Sequence, residues 1–351
     1  MSRKTIAKAS PSIFSYQDWV DQMASEPTIL DRLLALVDFE SFRALLEAPF
    51  IRASKGPGGR PAFDAVLMFK VLVLQRFYNI SDDQAEFQIR DRFSFQRFLD
   101  VSVADRMPDA KTIWHYREMW TKAEVIDACF VQFREQLEDR GLVESPGKMV
   151  DATFVEVPRQ RNTREENAHI KEEGTAPESW DGQDAKLSQK DVDARWTQKN
   201  KERYYGYKCH TLVSSMNKLI EDYEVTAANV HDSQVFIDLL DPARDDAVYA
   251  DSAYRSAEFE ACLAAMNIAS HICEKGSRGH PITDEQKANN RLISRIRSRV
   301  EHVFGTMTNS MDAMRIRCIG LVRATGIIGM NNLVYNMLRA EQIIRLKLPT
   351  S

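Results

Sequence analysis

The sequence predicts an α/β domain built on one mixed sheet, preceded by an all-helical module. Three observations lead to this prediction. Apolar residues recur at helical spacing through residues 60–140. The pattern changes at Gly147, after which KMVDATFVEV (148–157) has the apolar, β-branched composition of a strand. Strands and helices then alternate, and two long helical stretches at 284–308 and 323–347 end the chain, an order typical of a mixed sheet with helices.

The part of the chain before Gly147 divides into two predicted units. An N-terminal helical segment is predicted for 1–58, and KGPGGRP (55–61) breaks the pattern as a linker. A helical domain follows at 59–145, where Ser81 and Gln84 have the spacing of a capping box. The third predicted unit, 146–351, contains the mixed sheet.

In this third unit the first strand is followed by a polar insertion at 159–202, which has scarcely any aliphatic periodicity. It is too long for a simple hairpin loop, so we expect it to be functional or mobile. The patterns that follow predict a two-stranded hairpin, a helix capped by Asp232, a strand, a helix and a last strand, at 204–215 with 219–229, 231–240, 246–254, 256–266 and 268–273.

Composition narrows the class of protein. The five cysteines form no CxxC pair, which argues against a disulfide framework or a zinc site and is typical of a reducing cytosol. We find no signal peptide and no apolar run long enough to cross a membrane, so we expect a cytoplasmic protein. The net charge is −4, but 285–347 carries eleven Lys and Arg against four acids. That stretch indicates either an anionic partner or a solvated helix face.

Three carboxylates have unusual positions. Asp151 lies in the middle of the first strand, and Asp251 lies at the end of a later strand, where α/β sheets often present active sites. Glu301 lies in the arginine-rich helix RIRSRVEHVFG. If the strands are neighbours and the helix crosses them, the three acids meet and repel one another. Mg²⁺ reverses that repulsion, because it binds a few carboxylate oxygens and keeps positions for water and phosphate.

Each acid also has a purely structural interpretation. Asp151 could be hydrogen-bonded within the fold, Asp251 could cap the next turn, and Glu301 could pair with Arg297 one helical turn earlier. Only the three acids together favour a metal site. On that hypothesis a pair of metal ions, and not a partner side chain, compensates the charge of Asp151.

Basic and aromatic residues suggest where DNA would bind. Arg297 could hold a phosphate oxygen beside the metals, and Lys208 and His210 could contact phosphate or simply form a polar strand face. Arg295 and Arg299 flank Arg297 on the same predicted helix. Among the tryptophans, the periodicity suggests that Trp114 and Trp120 pack in a helical core, whereas Trp180 and Trp196 lie in the polar insertion and could stack on bases.

Several segments together resemble a known family. They are GRPAFDAVLMFKVLVLQRFYNISDDQAEFQIRDR, VDATFVEVPRQRNTREEN, KDVDARWTQKN, YYGYKCH, HDSQ, ADSAYRS and RSRVEHVFG. In order and spacing they are similar to the DDE transposases of bacterial insertion sequences, in the group named after insertion sequence five. The resemblance runs from about Gly59 to the C-terminus.

The resemblance implies an RNase H-like catalytic fold and two Mg²⁺ ions, for which Mn²⁺ can substitute. It implies cleavage and strand transfer at terminal inverted repeats of double-stranded DNA, and joining to target DNA. The family's catalytic acids fall on Asp151, Asp251 and Glu301, and its arginine falls on Arg297. Ser294 and Thr308 stand where the family signature has Tyr and Lys.

In similar enzymes the N-terminal helical region binds DNA ends and forms multimers, which implies those roles for 59–145 and a homo-oligomer in the synaptic complex. The implied location is the bacterial nucleoid, without a membrane partner. Two alternatives stay open. One is an RNase H-fold nuclease that cuts but does not join, and the other is a non-catalytic DNA-binding repressor derived from a transposase.

Overall fold

The computed structural model describes residues 27–51, 61–102, 104–143, 147–276 and 280–347. The first 26 residues of the predicted N-terminal segment, and nearly all of the predicted linker at 55–61, lie outside the described residues.

The first part of the described chain is helical, as the sequence predicts. Thr28 begins the first helix through a reciprocal capping box with Asp31, and the hydroxyl of Ser81 accepts from the N–H of Gln84 at 3.2 Å. Trp120 is fully buried and donates to the carbonyl of Leu46 at 2.8 Å. The helices are α1 (Ile29–Leu36), α2 (Arg43–Ile51), α3 (Ala65–Tyr78), α4 (Asp82–Asp91), α5 (Phe93–Leu99), α6 (Ala110–Lys122) and α7 (Val125–Glu138).

A six-stranded mixed sheet follows. Its strands are β1 (Lys148–Glu156), β2 (Arg195–Lys199), β3 (Glu202–Ser214), β4 (Ile220–Ala227), β5 (Ala247–Ala250) and β6 (Ala269–Ile272). Strand β1 is central, antiparallel to β3 and parallel to β5, and β6 extends the parallel half. Strands β2 and β4 pair with successive parts of the other edge of β3. The predicted mixed sheet, preceded by a helical module, is confirmed.

The remaining helices are α8 (Arg164–Glu173), α9 (Asp184–Leu187), α10 (Ala257–Ala265), α11 (Asp284–Arg297), α12 (Val300–Asn309) and α13 (Leu321–Leu346). The polar insertion contains α8, α9 and β2. Within it, the carboxylate of Glu166 accepts hydrogen bonds from Trp180 and Lys186, both at 2.7 Å, and so connects parts of the insertion. The prediction of a helix at 231–240 is wrong, because the only helical turn in this range is a 3₁₀ turn at Asp232–Gln234. The helix predicted at 284–308 is two helices, separated at 298–299.

Helix α13 links the two parts of the molecule. It packs against α3, α6 and α7 on one side and against β4 on the other. Its Asn336 side chain donates to the carbonyl of Ile220 at 2.7 Å and accepts from the N–H of the same residue at 2.9 Å, which satisfies the backbone of a strand start. One apolar cluster therefore includes residues of the helical module, the sheet and α13. The division of the chain at 58 and 145 stays a prediction.

Even α13, with its 26 residues, is too polar to span a lipid bilayer, and no other helix in the described part of the chain qualifies.

Candidate catalytic site

Asp151 lies where β1 parts from its parallel neighbour. On one side it is paired with Thr211 of β3, but the pairing with β5 ends at Met149 and Tyr249. The gap beyond that point leaves room for a side chain, and the Asp151 side chain is 17% exposed. Burial raises the pKa of Asp151 above its usual value, since it disfavours the charged carboxylate.

Asp251 follows β5 directly. Continuing the β1–β5 register by two residues places Asp251 level with Asp151. Its carboxylate accepts from the N–H of Ala253 at 2.7 Å and begins a 3₁₀ turn. After burial as the main cause, the charge of Asp251 also contributes to the raised pKa of Asp151. The structure thus brings these two predicted acids together, and Asp251 also has the capping role of the structural interpretation.

Glu301 stands apart from the other two acids. It lies in the first turn of α12 with an exposed side chain. Among the described residues, no three His, Cys, Asp or Glu side chains form a group that could hold a metal ion. The expected meeting of three carboxylates is therefore not seen in this structure.

A break in the helix explains the position of Glu301. Its N–H donates to the carbonyl of Ser298 at 3.3 Å, a bond to the third preceding residue, whereas a regular α-helix would use the fourth. The sequence predicted that Arg297 and Glu301 share one helix face. That prediction is wrong, because α11 ends at Arg297 and α12 begins at Val300.

Arg297 instead contacts Asp151. Its Nη1 donates to Oδ2 of Asp151 at 2.7 Å, and both side chains are about four-fifths buried, at 20% and 17% exposure. The expectation that no side chain compensates Asp151 is therefore wrong in this structure. The Nε of Arg297 is buried with no hydrogen-bond partner in the part of the chain that is described. The arginine is thus only partly satisfied by the acid that it neutralises.

Lys208 and His210 face inward. The ammonium of Lys208 donates to the carboxylate of Asp232 at 2.7 Å and to the carbonyl of Val230 at 2.6 Å. His210 is 1% exposed and lies 2.9 Å from the hydroxyl of Thr226, and burial lowers its pKa to about 4. Their prediction as DNA contacts is corrected here, because Lys208 is engaged in an ion pair and His210 is buried and neutral.

Sequence reasoning missed two residues beside the acids. Asp232 was expected to cap a helix, but its carboxylate binds Lys208. Tyr254 lies one 3₁₀ turn after Asp251, is 2% exposed, and its hydroxyl has no hydrogen-bond partner among the described residues. Burial raises the pKa of Tyr254, and the negative charges of Asp232, Asp151 and Asp251 raise it further. The only sequence signal for Tyr254 is its spacing from Asp251.

The two other predicted basic residues differ from each other. Arg299 donates from Nη1 to the carbonyl of Ser215 at 2.8 Å, so it supports the β3–β4 turn. Arg295 is exposed on α11. DNA contact by either residue stays a prediction.

Trp114 and Trp180 are each found in the environment that the sequence predicted for the other. Trp120 is buried as predicted, but Trp114, also predicted for the core, is 50% exposed. Trp180 is fully buried, and only Trp196, 48% exposed beneath Arg159, remains accessible in the polar insertion.

Asp151 and Asp251 offer the hard oxygen ligands that Mg²⁺ prefers, and one or two carboxylates with substrate phosphate are a common ligand set for it. The Nε of Arg297 and the hydroxyl of Tyr254, which are buried without partners among the described residues, supply donors beside them. A mixed sheet with such a pair defines a class of site suited to metal-assisted chemistry on phosphate esters.

Comparison with known families agrees. Residues 144–337 match the family described as “Transposase DDE domain”, and residues 18–119 match the one described as “Transposase domain (DUF772)”. The first match spans more than half of the chain, so the chain belongs to the DDE transposase family and is a DDE transposase. Enzymes of this family depend on a divalent metal.

A solved structure of similar shape is a piggyBac transposase synaptic complex with hairpin DNA. It has a TM-score of 0.43 and 11% sequence identity, and covers 93% of this chain and 78% of that chain. At this distance it carries no part of the assignment.

Proposed function

We propose that this DDE transposase binds the terminal inverted repeats of an insertion sequence and cuts the DNA at the element ends. Water attacks the phosphorus of the end phosphodiester, and the bond to the 3′ oxygen breaks, which frees a 3′-hydroxyl and leaves a 5′-phosphate. That hydroxyl then attacks a phosphodiester of target DNA, so one bond forms as another breaks. The observation that supports this most is that Asp151 and Asp251 lie level with each other just beyond the last paired residues of β1 and β5, close enough for the charge of Asp251 to raise the pKa of Asp151.

Asp151, Asp251 and Glu301 are the proposed ligands of two Mg²⁺ ions, for which Mn²⁺ can substitute. Bound ions would supply the Lewis-acid chemistry that activates the attacking oxygen and stabilises the leaving one. Glu301 must move toward the two aspartates to take part. The 298–299 break, where the helix is held by bonds to the third preceding residue, is the place where such a movement costs least.

Arg297 has two proposed roles. Without metal and DNA it neutralises Asp151. If the acids bound cations, the guanidinium would be released and could donate to phosphate oxygens, with the Nε that has no partner among the described residues as a further donor. Tyr254 can donate its free hydroxyl to the water or the phosphate. Arg295, Arg299 and the polar insertion are proposed to contact the DNA backbone, and a homo-oligomer at the nucleoid to hold both ends.

The test is cleavage and strand transfer in vitro with Mg²⁺, on DNA that carries the inverted repeats flanking the gene. Asp251→Asn should abolish cutting while DNA binding persists, and Asp238→Asn, an exposed acid nearby, should cut normally. Undiminished cutting by Asp251→Asn would overturn the assignment. Cutting without a strand-transfer product would favour the nuclease alternative, and binding without cutting under any condition would favour the repressor.

A further inference from the structure

A cleft with a cavity volume of about 660 Å³ separates the helical module from the segment that precedes α13. We name it the arginine cleft and define it by four of its lining residues, Arg76, Trp114, Arg315 and Arg317. Apart from Thr121, one wall lies within 18–119 and the other within 144–337, so each matched family segment supplies most of one side. A volume of this size is typical of sites for small ligands and accepts a nucleotide more readily than a duplex.

The second wall is an extension of the sheet. The N–H of Ile316 donates to the carbonyl of Glu156 at 3.0 Å, and the N–H of Glu156 donates to Met314 at 2.9 Å. Ile316 is buried, so the alternation of an extended chain leaves Arg315 and Arg317 exposed on the cleft side. Glu156 lies five residues beyond Asp151, which is roughly 16 Å along β1. DNA held at the acids could therefore also reach the arginine cleft.

The acidic residues of the cleft are largely occupied. Arg117 forms a bidentate pair with Asp82 at 2.7 and 2.6 Å, and Arg323 forms one with Glu118 at 2.7 and 2.9 Å. In these two ion pairs the charges of all four side chains are neutralised. Asp312 is the remaining acid of the lining, and it accepts from Asn79 at 3.0 Å.

Three cations in the lining remain without an ion-pair partner among the described residues: Arg76, Arg315 and Arg317. The pKa of Arg76 is lowered to about 10, chiefly by burial and also by the charge of Arg117, whereas the charge of Asp82 opposes this shift. Arg76 is partly buried beside the positive charge of Arg117 and forms no ion pair of its own among the described residues, so an incoming phosphate would relieve this repulsion. The cleft therefore selects an anion.

Trp114 adds a second recognition element. It lines the same cleft and exposes half of its surface, although it lies on α6 between buried positions. Exposed aromatic rings in a basic groove are the platform on which unpaired bases stack in single-stranded nucleic-acid sites. A free phosphate would contact only the arginines, and a base that stays paired and stacked in a duplex could not stack on Trp114.

We propose that the arginine cleft binds an unpaired nucleotide of the DNA on which this enzyme acts, with phosphates on Arg315 and Arg317 and the base on Trp114. The inference rests on the proposed function. It adds a site, separate from the acids, that distinguishes DNA with an unpaired strand from fully paired DNA.

The experiment measures binding of the full-length protein, in EDTA, to two fluorescein-labelled duplexes of mixed sequence. One is blunt and the other carries a single-stranded extension. Trp114→Ala should weaken binding to the extended duplex roughly 5- to 150-fold, as expected from the loss of one stacked base, and leave the blunt duplex unchanged. Phe87→Ala removes another exposed aromatic ring of the helical module, which does not line the cleft, and should change neither.

The arginine pair gives an independent readout. The double variant Arg315→Ala, Arg317→Ala should make the negative slope of log affinity against log salt for the extended duplex shallower by about 1.4, because two contacts to single-stranded phosphates are lost. The control Arg140→Ala, Lys275→Ala removes two exposed charges elsewhere and should leave the slope unchanged.

Equal losses on both duplexes with Trp114→Ala, or no loss with either cleft variant, would overturn the proposal. If wild type cuts element ends while the cleft variants bind and cut normally, only the cleft assignment fails. If wild type neither binds nor cuts DNA, the proposed function fails with it.

Discussion

The acid site and the arginine cleft lie at successive positions along β1 and differ in their electrostatics. At Asp151 the acids are balanced internally, since Arg297 binds Asp151 and Lys208 binds Asp232. At Glu156 and beyond, Arg76, Arg315 and Arg317 line a cleft without ion-pair partners in the described part of the chain. The difference suggests two kinds of ligand. On the proposed functions, the first site would exchange a protein cation for a metal, whereas the second would take a phosphate directly.

The largest effect is expected at the acid that the structure leaves apart. Glu301→Gln should lower Mg²⁺-dependent cleavage by about 10³-fold or more, since a lost metal ligand removes several kcal/mol of transition-state stabilisation. Single-turnover cleavage of end DNA measures this, with the exposed Glu285→Gln as control. Normal cleavage by Glu301→Gln would show that the acid site is complete with two aspartates.

A pH effect tests whether His210 at the acid site is neutral, which would leave Arg297 and Lys208 as the two cations there. The pKa of His210 falls from 6.5 to about 4 on folding. As the pH falls, His210 therefore takes up a proton in the unfolded chain before it does so in the folded protein. Stability from this residue is complete above pH 6.5 and is lost as the pH falls toward 4, by about 3 kcal/mol in total. Urea denaturation across that range should show a smaller loss for His210→Gln than for wild type. The exposed His280→Gln should behave as wild type, and identical curves for all three would mean that His210 is not a buried neutral residue.

Arg297→Met tests the internal balance of the acid site. Because Asp151 would remain buried without its partner, we expect a loss of about 1–3 kcal/mol in the free energy of unfolding in EDTA. Mg²⁺ should recover part of this loss, since the acid is then free to bind it. The exposed Arg295→Met should change stability by less than about 0.5 kcal/mol. An equally small change for Arg297→Met would contradict the ion pair.

Arg76→Met is the matching test in the cleft, and the smallest effect is expected there. Since Arg76 is partly buried and has no ion pair among the described residues, its replacement by an apolar side chain should be neutral or stabilising by up to about 1 kcal/mol. Urea denaturation of both methionine variants makes the comparison direct. A loss for Arg76→Met as large as for Arg297→Met would mean that the cleft, too, is internally balanced.

The sequence could predict those parts of the site that local pattern and strand order determine. Asp151 and Asp251 were predictable as neighbours, because a mid-strand acid and a strand-end acid meet when their strands are parallel. The position of Trp114 was also within reach, since Ile113, Tyr116 and Trp120 form the buried stripe of α6 and Trp114 lies off it.

Other features depend on contacts distant in sequence. RIRSRVEHV reads as one helix, and the break at 298–299 appears only when the chain packs against β1 and β5. Trp180 is buried because the insertion folds around it, with Lys186 over its ring and Glu166 on its N–H. The pairing of Lys208 with Asp232 likewise depends on how the turn after β4 folds back.

The most direct test of the central claim is anomalous scattering from Mn²⁺ in crystals of the protein with end DNA. We predict manganese between Asp151 and Asp251, with Glu301 moved into coordination and Arg297 released from Asp151 onto a phosphate. Crystals with bound DNA but no manganese at this site, with Arg297 still on Asp151, would contradict the account.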